Sequence, residues 1–308
     1  MAKARKVTGR KPKIKKSPPS KSIDDLVGYC EDGETIEISD KFLDYMFLLY
    51  GESGSGKTST LSKCPGSYII QCDPKRKGLK VRQTNVPDSS LEEIKRNRDE
   101  HTPWEVIEAT FEKIIEDDSV RTVIIDNMRA FYDHASNHYC KRKMVDSLSD
   151  MNDYGVSWNN VDAMYLDWFS RIVNSGRGLG LIAHMREREI TLPDNTTMVQ
   201  IQPDLTGRAM TAVRSLTDFA FFLGYNSDGD RILTVRHPGN DVWYKCCTDE
   251  EFPRFFDPDG NPVHRIVAGK SPGECWANIL KSWDNQLYDA EYQPPKERKV
   301  KIKRRTKS

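Results

Sequence analysis

Eight consecutive residues, Gly51-Glu52-Ser53-Gly54-Ser55-Gly56-Lys57-Thr58, place three glycines, a lysine and a hydroxyl at the spacing GxxxxGK[ST]. Glycine at these positions lets a backbone wrap closely around phosphate oxygens, and the free N–H groups of a following helix supply an anion trap. Lys57 can reach β- and γ-phosphates, and the Thr58 hydroxyl can ligate magnesium. The chemistry expected is binding of ATP with Mg2+ over Gly51, Glu52, Ser53, Gly54, Ser55, Gly56, Lys57, Thr58 and Ser59. The bland alternative is a glycine-rich turn without a ligand.

A magnesium-bound triphosphate needs a second anchor, and Asp126 ends the apolar run Val123-Ile124-Ile125. Two readings of Asp126 stand: metal ligand beside Thr58, or N-cap of the helix that begins near Met128. Asn127 follows it, where many helicases and AAA-type motors carry a water-activating Glu, so this site must find its base elsewhere or hydrolyse slowly. Asp73, after Ile69-Ile70-Gln71-Cys72, is the candidate base at a neighbouring strand tip; its alternative is a turn-forming Asp before Pro74. His184, closing Leu181-Ile182-Ala183, is the candidate catalytic sensor of the γ-phosphate, against a purely structural histidine.

These residues need a sheet to hold them. Tyr45 to Tyr50, Ser67 to Cys72, Thr122 to Ile125 and Leu179 to Ala183 read as buried strands, and Lys57 to Ser62, Pro103 to Ile115, Met128 to Leu148 and Trp158 to Val173 as helices between them. That alternation marks an α/β fold with a mostly parallel central sheet flanked by helices. Beyond it, Glu189 to Leu192 and Thr197 to Ile201 form a hairpin pattern. Phe219 to Leu223, Ile232 to Val235 and Val242 to Tyr244 read as antiparallel strands added toward the C-terminus, before a helix over Glu274 to Leu287.

A chain of 308 residues accommodates one such domain plus tails. The near-neutral total, +1, hides an uneven charge: residues 1–21 carry nine Lys or Arg and no acid, and residues 296–308 carry eight with Glu297 alone opposing them. Removing +9 and +7 from +1 leaves −15 for residues 22–295, an acidic body between basic arms. The expected organisation is a disordered arm over 1–22, an ATPase domain over 23–293 and a disordered tail over 294–308. Seven cysteines without a CxxC pair point to reduced thiols. No apolar run nears the ~20 residues of a membrane span, so the expected location is cytoplasmic, with no membrane partner.

In order along the chain, the glycine loop, the Asp73 strand tip, Val123-Ile124-Ile125-Asp126, Asp153-Tyr154-Gly155, Leu181-Ile182-Ala183-His184 and Pro203-Asp204-Leu205-Thr206-Gly207 resemble phage RecA-like P-loop ATPases. More narrowly they are similar to the phage AAA-domain nucleotide-binding proteins that include Sak-type single-strand annealing recombinases, over about residues 44–250. The resemblance implies a RecA-like P-loop NTPase core and ATP hydrolysis with magnesium. It also implies action on single-stranded DNA in recombination, annealing or replication, beside a single-strand-binding protein, as a homo-oligomer and in a bacterial host cytoplasm. RecA itself has Glu at the place of Asp73 and Gln at that of His184. Lys245 falls where RecA-like subunits offer a basic finger to a neighbour, or is a solvated strand lysine.

For a nucleic-acid partner, the arms 1–21 and 296–308 are the obvious cations, with Arg186, Arg188 and Arg208 (and Arg214) after the sensor strand. Tyr154, Trp158, Tyr165 and Trp168 have near-helical spacing and read as core, although Tyr154 and Trp158 could stack bases. His134 and His138, four apart with Cys140 nearby, lack the third ligand of a zinc site. Two rivals to the DNA-linked ATPase remain: a nucleotide-dependent adaptor or replication mediator with slow hydrolysis, and a small-molecule phosphotransferase using Arg186 and Arg188 as a phosphate clamp.

Overall fold

A computed structural model describes residues 39–73, 80–87, 101–192, 194–226, 228–237, 239, 241–248 and 252–288. The basic arms, and the proposed domain boundaries at 22/23 and 293/294, lie outside them. The described residues fall within one unit that starts at Ser39.

Strands β1 (Met46–Gly51), β2 (Ser67–Gln71), β3 (Arg82–Asn85), β4 (Thr122–Asp126), β5 (Gly178–Thr191), β6 (Thr197–Pro203), β7 (Phe219–Tyr225), β8 (Arg231–Thr234), β9 (Lys245–Cys246) and β10 (Arg265–Val267) join one sheet. Its order is β10-β8-β7-β1-β5-β4-β2-β3, with β6 on β5 and β9 on β7. The six strands from β7 to β3 in that order are parallel. β6, β8, β9 and β10 pair antiparallel. β7 is mixed: Phe219 to Leu223 lies parallel to β1, Phe47 opposite Phe219, and β7 pairs antiparallel with β8 and β9 on its other side. Of Val242 to Tyr244, only Val242 makes an isolated bridge, and the strand begins at Lys245.

Strand parity decides which side chains can meet, because successive residues point to opposite faces. Leu48, Ile70, Val123, Ile125, Leu179 and Leu181 join one apolar cluster under helices α2 (Pro103–Glu116), α3 (Met128–Lys143), α4 (Val156–Asn174) and α5 (Gly207–Leu216). The alternate residues Phe47, Leu49, Ile69, Ile124 and Ile182 join a second cluster under α1 (Lys57–Leu61) and α6 (Pro272–Trp283). Caps fix the helix starts. Thr102 and Glu105 form a capping box with Pro103 in the first turn of α2, and Ser271 with Glu274 does the same for α6.

The aromatic residues divide. Tyr165 and Trp168 are buried on α4 as expected, Trp158 is half-buried, and Tyr154 is fully exposed, against its reading as core. Tyr154 sits in the turn before α4 with a left-handed backbone, φ 54°, which directs it away from the helix period. His134 Nε2 meets the Cys72 carbonyl oxygen at 3.0 Å and His138 Nδ1 meets Thr102 Oγ1 at 2.9 Å, so the two rings hold different core partners. The described cysteines are all free, and Cys247 is exposed while Cys246 packs in β9. No helix among the described residues is long and apolar enough to cross a membrane.

Candidate nucleotide site

The sheet's C-terminal edge gathers the chemistry. β1 ends at Gly51, and the chain turns through Gly54 (φ +85°) and Gly56 (φ +95°) into α1; the left-handed backbone at both is why glycine stands there. Gly51 has a different reason. A Cβ on it would lie 2.1 Å from the Leu223 carbonyl oxygen of β7, so the residue is set by close strand approach.

Parity places the remaining groups on the α1 side of the sheet. Asp126 has the parity of Ile124, His184 that of Ile182, and Gln71 that of Ile69. β5 lies between β1 and β4, which sets His184, opposite Gly51 in register, between the glycine loop and Asp126. Asp73, two residues past Gln71, follows on the outer side. A cleft of about 250 Å3 is lined by Ser53, Gly54, Gly56, Lys57 and Thr58 from the loop, by Gln71, Asp73, Asp126 and Asn127 at the ends of β2 and β4, and by His184. His184 does not close its strand as expected: β5 runs on to Thr191, and His184 is where its parallel pairing with β1 gives way to β6.

Thr58 Oγ1 donates to Asp126 Oδ2 at 2.6 Å, and both residues are buried. The two readings of Asp126 separate here. Its carboxylate turns to Thr58, and the N-cap of α3 is Asn127, whose Oδ1 accepts from the Ala130 N–H at 2.9 Å. Lys57 Nζ donates to the carbonyl oxygens of Gly51 (2.9 Å) and Glu52 (2.6 Å), with Ser55 Oγ at 3.5 Å, so the ammonium is held within the loop. Ser55 is buried, Glu52 is exposed, and Ser59 lies further along α1.

Thr58 and Asp126 offer hard oxygen donors on adjacent side chains, the donor type magnesium takes while keeping several waters. The set fits the ion. Burial, followed by the Lys57 ammonium, holds the His184 imidazole below its ordinary pKa, while the Asp126, Asp73 and Asp204 carboxylates oppose that shift. His184 is therefore neutral at neutral pH and can donate or accept one hydrogen bond.

Gln71 escaped sequence reasoning. Its Nε2 donates to the carbonyl oxygens of Asp73 (2.8 Å) and Asp126 (3.4 Å), and the Cys72 N–H donates to the same Asp126 oxygen at 2.6 Å. These bonds tie the Asp73 segment to the Asp126 strand. The only signal in the sequence is a buried polar residue inside an apolar run. Arg231 and Tyr225 also escaped: Arg231 Nε donates to the Ser55 carbonyl oxygen at 3.0 Å, and the Tyr225 hydroxyl stands 3.5 Å from that of Gly54.

Of the arginines named for nucleic acid, Arg186 and Arg188 lie two residues apart on β5, and Arg208 is on α5. Arg186 pairs with Asp204 at 3.7 Å, and Asp204 also holds Arg129 at 3.1 Å. Arg208 pairs with Asp162 at 3.1 Å, bonds the Asn159 amide oxygen and lies over the Trp158 ring. Arg188 is exposed on the β5–β6 hairpin. Lys245 Nζ donates to the Arg214 carbonyl oxygen of its own chain at 2.8 Å.

Compared with known proteins, residues 43–241 match the family model described as an AAA domain. No curated protein matches the chain.

Proposed function

The chain belongs to the AAA-domain family of P-loop ATPases, and from that premise we propose that it hydrolyses ATP to ADP and phosphate while acting on single-stranded DNA in phage recombination, annealing or replication. The observation that carries the nucleotide half is the Thr58–Asp126 bond beside Lys57, with Asp73 and His184 on the same cleft. Magnesium, held by Thr58 and Asp126, would neutralise phosphate charge as the terminal bond breaks.

The chain's own groups divide the rest. Lys57 takes up the β- and γ-phosphates, exchanging loop carbonyls for phosphate oxygens. Asp73 accepts the proton of the attacking water, and Gln71 fixes that segment against Asp126. His184 bonds the γ-phosphate. Its carbonyl oxygen accepts from the Asp204 N–H at 2.7 Å, which links the sensor to the root of the hairpin bearing Arg188. The DNA half rests on the motif order along the chain, on the basic arms and on exposed Arg188.

A second reading, a nucleotide-dependent adaptor or mediator with slow turnover, is favoured by one observation: Asn127 is spent as a helix cap where a water-activating Glu would stand. One experiment separates the two. ATP turnover is measured for wild type and Lys57→Ala alone, with single-stranded DNA and with double-stranded DNA. Stimulation by single strands that is lost in Lys57→Ala is the expected result; turnover indifferent to DNA sinks the recombination reading.

A further inference from the structure

Every group assigned to the γ-phosphate end lies on one flank of β1. His184 is on β5, Asp126 on β4 and Asp73 beyond β2, and these strands follow one another outward from β1. A triphosphate seated in the glycine loop with its γ end toward those groups must direct its nucleoside to the other flank. That flank belongs to β7 and β8.

Two side chains there reach the loop. Tyr225, the last residue of β7, and Arg231, the first of β8, face each other in register across the antiparallel pair. The Arg231 guanidinium carbon is 5.7 Å from the centroid of the Tyr225 ring. The same guanidinium donates to the Ser55 and Lys270 carbonyl oxygens, and a Cβ on Gly56 would come within 3.3 Å of its Nε. Arg231 is thus a brace between loop and ring. Tyr225 remains 46% exposed beside Gly54.

We propose that Tyr225, backed by Arg231, is the nucleoside platform of this site, and that it selects purine nucleoside triphosphates by stacking rather than by reading the base edge. The inference rests on the nucleotide-binding reading above and adds where the base goes and what recognises it. An aromatic face stacks more strongly on a two-ring base than on a one-ring base, and a cation behind the ring polarises it. Two sets of Arg231 donors are already spent on backbone oxygens, so the brace is fixed in place rather than aimed at the exocyclic groups that distinguish adenine from guanine. ATP and GTP then bind alike, and both bind more tightly than CTP.

The test is competition against fluorescent mant-ATP, with magnesium, by ATP, GTP, CTP and inorganic triphosphate. Tyr225→Ala should weaken ATP by about tenfold, the scale of one base–aromatic stack, and leave inorganic triphosphate unchanged, while Tyr225→Phe keeps the wild-type order. Equal losses for ATP and triphosphate in Tyr225→Ala would mean a damaged loop and overturn the platform. So would a tenfold loss in Tyr225→Phe, or wild-type protein that binds triphosphate as tightly as ATP. Wild-type protein that binds neither fails at the loop itself, and the nucleotide reading falls with the platform.

Discussion

Thr58 and Asp126, 68 residues apart in sequence, share a hydrogen bond of 2.6 Å in a buried setting, and this bond joins the start of α1 to the end of β4. The glycine loop alone is a phosphate cradle. Joined to Asp126, it becomes a place where a divalent cation and a triphosphate can be held together.

Asp126→Asn keeps the shape and removes the charge. Turnover should fall by at least about a hundredfold, and the concentration of magnesium needed for half-maximal mant-ATP binding should rise. Unchanged magnesium dependence would remove Asp126 from the metal site.

Asp73 and His184 should separate by kinetics. Asp73→Asn is expected to lower kcat by about a hundredfold or more while leaving nucleotide affinity in place, the mark of a lost general base. His184→Ala should leave measurable basal turnover but abolish its response to single-stranded DNA. Steady-state assays with and without DNA check both.

Alanine at two glycines of the loop should fail for different reasons. Gly51→Ala forces a Cβ into the Leu223 carbonyl oxygen and should cost stability, of order 1–3 kcal/mol or more. Gly54→Ala meets no atom within 4 Å, so its cost is the left-handed backbone, about 1–2 kcal/mol. Denaturant melts rank the two, and ATP binding should suffer in both.

Acid should destabilise the fold through its histidines. Burial lowers the pKa of His138, His184 and His264. The folded state therefore binds fewer protons than the unfolded chain. Their contribution is present in full above the unfolded-state value of about 6.5 and is lost as pH falls toward the folded-state values. Melts near pH 7.5 and near pH 5.5 bracket that window, about one unit either side of 6.5, and His138→Gln should flatten the slope.

Much of the site was legible because its parts are contiguous. The residues of the glycine loop occupy eight positions in a row, and Asp126 and His184 each end a short apolar run, although only Asp126 ends its strand and β5 runs on past His184 to Thr191. The parallel pairing of β7 with β1 was not legible because it depends on the crossover helix α5, a short helix of ten residues that buries only Ala209, Met210 and Val213. β3, with the sequence Arg-Gln-Thr-Asn at the sheet edge, has no apolar pattern at all. Gln71, Tyr225 and Arg231 acquire meaning only from neighbours brought in by the fold, which no local spacing encodes.

The brace from Arg231 to Ser55 spans 176 positions of the chain. During synthesis the glycine loop emerges early, yet its outer wall arrives only when β7 and β8 have been made and α6 can close over α1. Such non-local closure makes folding slow, since loop-closure entropy is lost before the contacts that repay it form. A chain ending before residue 231 would carry the whole glycine motif without the Arg231 contact that steadies its Ser55 carbonyl.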